Sequence, residues 1–553
     1  MAFEDVLQWA GDTGCFQVLA VSLGVLIGVM SSSYEFLENF TAGIPEHRCS
    51  VHLLDNPNPE ANVTLNLTVE ALLRASIPMD PNGKPEQCRR FRQIQWQLLD
   101  PNASAGNNAE LETEPCLDGW TYDQSVFTST IVSEWDLVCN YQSFKYLAHS
   151  ITLMGYLLGI TVSGFTSDRY GRKPLLVFSC LACGVLSICC GFVPTFSIYC
   201  TLKFLSSAFV SVIQTNLIII VLEVTAANWK PVVVASQLLS GNVGHIFLGG
   251  LAYAFRDWRR LQWVFGSPFL IFFLFSCCCF TESIRWLLVT GKTQQAAKEL
   301  KKIAYINGKK DVVQNLTTEA LISKMGEVTV PRNHFQMKQI IVNPIIFRII
   351  LCGFILWFSS VFSSYGHILD IQSLGQDIFT SQLLMGTVNF FSSLSVFFMI
   401  RHVNRKPSLF LFVFLFGSSH IVAIFVPKEM HILRLVVFLM GRATISILMG
   451  IFTAFFLELS PTIFRSTMLS IFTVAMRLGG TVSALVLMTK QYFIHLPGIL
   501  YGVLPLATSV CILFLPETFN LPLADTIKDI ENRFRSKTTR EKQRRELLRT
   551  TEC

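Results

Sequence analysis

Gly164-Phe-Thr-Ser-Asp168-Arg169-Tyr-Gly171-Arg172-Lys173-Pro174 sets four charges and a turn between two long apolar runs, 144–166 and 174–194. Charges at that density do not enter hydrocarbon, while each flanking run is long enough to cross it, since a spanning helix needs ~20 mostly apolar residues. The stretch therefore marks a short loop between two membrane spans. Reading outward finds further runs at 16–34, 198–222, 231–255, 261–281, 345–366, 379–401, 407–427, 433–457, 466–488 and 493–516. Twelve spans follow. Composition agrees: the 553 residues are 51% hydrophobic and 15% charged, with a mean hydropathy of +0.47, more apolar surface than one water-soluble core buries. The first run has full spanning length, acidic residues before it and no small-residue cleavage site after it, which predicts an uncleaved signal anchor.

Orientation follows from the positive charges. Arg169, Arg172 and Lys173 follow the second span, Arg401, Arg405 and Lys406 the eighth, and the segment after the sixth is rich in Lys. The positive-inside rule makes these loops cytoplasmic. Both termini are then cytoplasmic and 36–143 lies outside, in a plasma-membrane protein. The formal charge of +6 is spread over these loops and forms no face that tracks a phosphate backbone, so no nucleic-acid partner is expected. The outer loop carries glycosylation triplets at Asn39, Asn62, Asn66 and Asn102, with Asn39 closest to the membrane; the triplet at Asn315 falls on the cytoplasmic side and is expected to stay unmodified. It also holds Cys49, Cys88, Cys116 and Cys139, which imply two disulfides in one of three pairings. No metal-ligand spacing is present, and no cofactor is expected. Gly291-Lys-Thr293 is not a phosphate loop, because Trp286 stands where such a loop needs glycine.

Landmarks recur between the halves. Glu223 precedes Lys230 as Glu458 precedes Arg465; the acids are 458 − 223 = 235 apart, Glu282 and Glu517 are 517 − 282 = 235 apart, and Lys173 and Lys406 are 406 − 173 = 233 apart. Two six-helix units of common design around a central cavity follow. The predicted order is N-terminus and first span, 1–35; outer loop, 36–143; spans two to six, 144–281; connector, 282–344; spans seven to twelve, 345–516; tail, 517–553.

The opening stretch resembles the cytoplasmic loop signature of major facilitators. Glu134-Trp-Asp-Leu-Val-Cys139, Thr281-Glu-Ser-Ile-Arg285-Trp-Leu287, Glu458-Leu-Ser-Pro461-Thr-Ile-Phe-Arg465 and Leu37-Glu-Asn-Phe-Thr41 resemble the organic ion transporter family, in its organic anion branch. The resemblance runs from residue 1 to about 530 and implies an all-α membrane protein of the major facilitator fold, working by alternating access without ATP. Three departures stand out: Thr281 for the usual Pro, Asn404-Arg-Lys406 for a turn beginning with Gly, and Ser206-Ser207 where Gly is usual.

A charge at mid-bilayer costs several kcal/mol, so it faces protein or a water-filled cavity. Asp168, Arg169, Arg172, Glu223, Lys230, Glu458 and Arg465 lie at the cytoplasmic ends, where pairs across the halves would lock an inner gate. Arg477 sits in the middle of the eleventh span, too far from either surface to snorkel. The resemblance places it on the cavity, where a guanidinium holds a carboxylate or sulfate through two hydrogen bonds. Arg442 is a second intramembrane cation. The resemblance also puts Trp357 and Tyr365 on the cavity and indicates divergence at Gly241, where relatives carry Tyr, and at Asn389 and Ser393, where they carry Asp and Lys. Glu35 is expected to be open to water at the outer end of the first span.

The leading expectation is a carrier of amphipathic organic anions, with an exchanged anion as a second small-molecule partner and the bilayer as solvent. A cation or zwitterion carrier and a non-transporting receptor on the same fold are the alternatives. Nothing in the chain resembles an enzyme's nucleophile, metal or phosphate site.

Overall fold

The computed structural model describes residues 11, 14–55, 68–80, 83–99, 112–309, 343–369, 371, 377–427, 429–461, 464–519, 521, 527 and 529–534. Twelve helices among them are long and apolar enough to cross a membrane. In chain order the spans are Cys15–Glu35, Ser143–Tyr170, Arg172–Cys190, Phe196–Glu223, Lys230–Ala254, Trp258–Cys279, Pro344–Leu369, Ile378–His402, Arg405–Phe425, His431–Leu459 and Arg465–Leu487, with the twelfth formed by Leu496–Thr508 and Val510–Phe514. Helix is the answer these runs permit, because hydrocarbon offers no partner for an open N–H or C=O. Each sequence-predicted run overlaps one of these spans, with ends that differ by a few residues.

The described residues fall into two compact units, one drawn from 1–38, 146–254 and 261–553, the other from 39–145 and 255–260. In the first, which holds the helical bundle, span 1 packs on span 5, span 3 on span 4, span 7 on span 11, span 9 on span 10, and span 5 on span 8. Close approach is written as Gly155-Tyr-Leu-Leu-Gly159 in span 2. A Cβ at Gly155 would lie 2.3 Å from the carbonyl oxygen of Phe204, and one at Gly159 would lie 2.2 Å from that of Ala208. Small residues at this spacing let two membrane helices touch backbone to backbone. Ser207, one of the departures from the family pattern, fills its place by donating its hydroxyl to the Thr152 carbonyl at 2.8 Å.

The second unit is held by polar and covalent bonds around a small core. His47–Cys49 pairs antiparallel with Trp120–Tyr122, and Arg89–Phe91 with Thr113–Pro115. The disulfides join Cys49 to Cys116 and Cys88 to Cys139. Cys49 and Cys116 pack with Val51 and Ile77. Arg48 grips Asp55 at 2.6 and 3.0 Å. Burial raises the Asp55 pKa, but hydrogen bonds from Arg48 and the Val51 amide outweigh it and hold the carboxyl below its usual 3.8. A depressed carboxyl stabilises the fold above its unfolded pKa, and that contribution is lost as pH falls through the folded value.

One of the glycosylation triplets falls among the described residues. Asn39 lies in the short helix Glu38–Thr41 with 8% of its surface exposed. Asn62, Asn66, Asn102 and Asn315 lie outside the described residues.

Candidate functional site

The landmark charges resolve into two copies of one bonding scheme, one per half. In the first, Arg172 Nη1 donates to both Glu223 oxygens at 2.7 Å and to Ser283 Oγ at 2.8 Å, while Glu282 Oε1 accepts the N–H groups of Arg172 at 2.9 Å and Ser283 at 3.0 Å. In the second, Arg405 Nη2 donates to Glu458 at 3.0 Å, Thr518 Oγ1 donates to Glu458 at 2.6 Å, and Glu517 Oε1 accepts the N–H groups of Arg405 and Thr518, each at 3.0 Å. Each acid of the Glu282/Glu517 pair thus caps the N-terminus of a span, where free N–H groups favour negative charge. The turn residue is what differs. Gly171 stands at φ 101°, in the region that favours glycine, whereas Asn404 stands at φ −59° and needs none.

This corrects the expectation of charge pairs across the halves. Arg172 meets Glu223 and Arg405 meets Glu458 inside their own halves, because each Arg opens a span packed beside the one that ends in its Glu. Asp168 is largely exposed and 4.0 Å from Arg172. Arg169 lies over the Tyr170 ring, 5.7 Å from its centroid. Lys230 begins span 5, and Arg465, which begins span 11, donates to the Ser460 carbonyl at 3.4 Å.

What joins the halves is deeper in the bundle. Arg477 of span 11 forms an ion pair through Nη1 with Glu35 of span 1, and its Nη2 donates to Gln214 Oε1 of span 4 at 3.2 Å. Tyr365 of span 7 donates its hydroxyl to the same Glu35 oxygen at 2.6 Å, and Gln214 Nε2 reaches the other at 3.3 Å. The guanidinium carbon lies 5.0 Å from the centroid of Tyr156 in span 2. Glu35 is 9% exposed, so the expectation that it opens to water is wrong. A carboxylate at the end of an apolar run looked interfacial in the sequence because its partner is 442 residues away.

Arg442 differs from Arg477 in one respect that matters. It is 6% exposed and donates to Ser364 Oγ at 2.9 Å, and no acid among the described residues lies within ion-pair distance; its Nε, like that of Arg477, has no hydrogen-bond partner among them. Ser393 Oγ accepts from Asn242 at 2.8 Å and lies 3.1 Å from Ser446 Oγ, which donates to the Asn389 carbonyl at 3.3 Å. Asn389 Oδ1 is buried without a partner among the described residues. Trp357 packs on Phe452 with 5.6 Å between ring centres, and its indole N–H has no partner there either. A Cβ on Gly241 would meet only Ser32 Oγ, at 3.4 Å. The sequence reading missed Gln214 and Tyr156; the signal available for Gln214 was an uncharged polar residue in an otherwise apolar run.

A twelve-helix bundle with two matched halves joined by buried charges defines a membrane transporter of the major facilitator class rather than an enzyme, and residues 140–484 match the Major Facilitator Superfamily. The fold is similar to that of the xylose transporter XylE from E. coli, with a TM-score of 0.59 at 14% identity, covering 93% of this chain and 99% of that one. Over whole sequences the chain is 48% identical to solute carrier family 22 member 22 of Mus musculus, covering 100% of both. It is 39% identical to the steroid transmembrane transporter SLC22A24 of Homo sapiens, covering 96% of each. The chain belongs to solute carrier family 22, the organic ion transporters of that superfamily.

Proposed function

We propose that the protein carries amphipathic organic anions such as steroid sulfates, other conjugates and aromatic carboxylates across the plasma membrane by alternating access. The observation that carries this reading is Arg442, a buried guanidinium with no acid beside it among the described residues. A buried charge without a partner is costly, and an anionic substrate supplies the partner. The name of the steroid-transporting relative supports an apolar substrate body. Tyr365, Trp357 and the space beside Gly241 would receive that body, with Asn389 and Ser393 as polar contacts and Arg477 as the second cation of the site.

In this reading the 36–143 loop is extracellular, while the connector 282–344, the tail 517–553 and both termini are cytoplasmic. The gate is placed at the cytoplasmic ends of the halves, where Arg172–Glu223 and Arg405–Glu458 each brace their own half, with Asp168, Arg169, Lys230 and Arg465 at their margins. Basic residues beside the ends of spans 2 and 8 support this orientation.

Uptake by cells displaying the protein tests the proposal with a sulfated steroid against a quaternary amine. The sulfate accumulates and the amine does not. Arg442→Gln at equal surface abundance lowers sulfate uptake roughly tenfold or more, the equivalent of losing charge-assisted hydrogen bonds worth about 1.5–3 kcal/mol. Accumulation of the amine alone would establish the cation carrier instead.

A further inference from the structure

Both Glu35 oxygens are occupied, one by Arg477 and Tyr365 and the other by Gln214, and Glu35 and Gln214 between them hold the two terminal nitrogens of the guanidinium that an anionic substrate needs. Glu35 belongs to the first half and Arg477 to the second. Alternating access moves the halves relative to one another, and an ion pair buried between them must then be broken or exchanged. Breaking it bare leaves two uncompensated charges away from water, which is strongly unfavourable. Two events together avoid that: a substrate anion takes Arg477, and a proton neutralises Glu35.

Resting on the anion reading above, we propose that Glu35 and the substrate are alternative partners of Arg477, and that the carrier takes up one proton on Glu35 with each organic anion. The proton comes from water on the side the substrate leaves. Glu35 then holds a neutral carboxyl while the substrate's sulfate or carboxylate accepts from Arg477. On the far side the anion departs, the proton returns to water and the Glu35–Arg477 pair re-forms. One negative charge and one proton cross together, so the step is electroneutral. The groups around Glu35 fit a single titrating acid. Arg477 and Tyr365 face it from the second half, Gln214 from span 4, and Tyr156 from span 2 lies over Arg477. From span 5 comes His245, whose ring is 4.4 Å from that of Phe36 and whose Nδ1 contacts Gln382 at 3.2 Å. Lys203 of span 4 sits instead over Tyr34, 4.8 Å from its centroid, and Glu38 is 3.3 Å from His149. The Thr293–Ile306 helix meets the other end of span 1, through Asn307.

Linkage is reciprocal: a proton that favours the substrate is itself favoured by the substrate by the same factor. The experiment uses the full-length protein and a sulfated steroid, whose own charge does not change between neutral and mildly acidic pH. Wild-type uptake at low substrate rises on acidification of the medium, by up to roughly tenfold per pH unit while Glu35 is mostly ionised, the limit for one linked proton. A pH dye inside the cells reports acidification during uptake. Glu35→Gln transports without acid stimulation and without acidification. Persistence of either in surface-expressed Glu35→Gln overturns the proposal. If that variant does not reach the surface, the wild type decides: sulfate uptake that is flat with pH and brings no acidification overturns it. Failure of the wild type to take up the sulfate at any pH would sink the anion reading itself.

Discussion

At Gly155 a single methyl group would collide with the Phe204 carbonyl at 2.3 Å, and a backbone atom in a packed helix cannot turn aside as a side chain can. Overpacking of this kind costs about 1–3 kcal/mol and sometimes more. Gly155→Ala is expected to lower the thermal midpoint of purified protein, whereas Gly250→Ala, where a Cβ meets nothing within 4 Å, leaves it in place. Equal midpoints for the two variants would show that the approach of spans 2 and 4 is not a constraint. Individual residues were legible in the sequence when chemistry alone placed them. Arg477 had to be buried and partnered, because no surface was within its reach. Which acid it chose was not legible, since Glu35 reaches it only after the two halves have been brought together.

The elements were read more fully, because apolar length fixes a span and charge fixes its end. The turn at Asn404 looked degraded when compared with Gly171, yet its backbone stands at φ −59° and the ion pair beside it is complete. Dihedral angles are invisible to residue matching. The two ion pairs also differ in depth: the Arg405 side chain is 6% exposed and that of Arg172 15%, against partners at 19% and 16%. Removing one member of a buried pair costs up to about 3–5 kcal/mol, less where water reaches it. Glu458→Gln should therefore lower thermal stability more than Glu223→Gln, with both below wild type, as read by thermal unfolding of the purified proteins. The reverse order would mean that burial does not set the strength of these pairs.

For the molecule as a whole, the halves were legible from three recurring landmarks, and their bonding was not, because spacing says nothing about which charges meet. The side of the membrane on which 36–143 lies is testable directly. Enzymatic removal of N-glycans is expected to shift the protein on a gel; Asn62, Asn66 and Asn102 changed together to Gln abolish the shift, and Asn39→Gln alone preserves it. No shift in the wild type would refute the proposed orientation. The repeat also carries an arithmetic imbalance. Arg172 and Glu223 are 51 residues apart, Arg405 and Glu458 are 53 apart. The linkers 191–195 and 426–430 are equal, so the surplus lies in span 9, with 21 residues against 19 in span 3. Two residues of helix add about 3 Å of rise and about 200° of azimuth. At the offset of 233 the two spans keep the same bearing along their length: Gly184 is held against Leu270 of span 6 as Gly417 is against Leu506 of span 12, and Ser187 meets Tyr34 of span 1 as His420 meets the ring of His367 in span 7. A substitution carried from span 3 to span 9 by adding 233 therefore keeps its meaning along the helix, whereas one carried by the 235 that separates the acids lands on the far face.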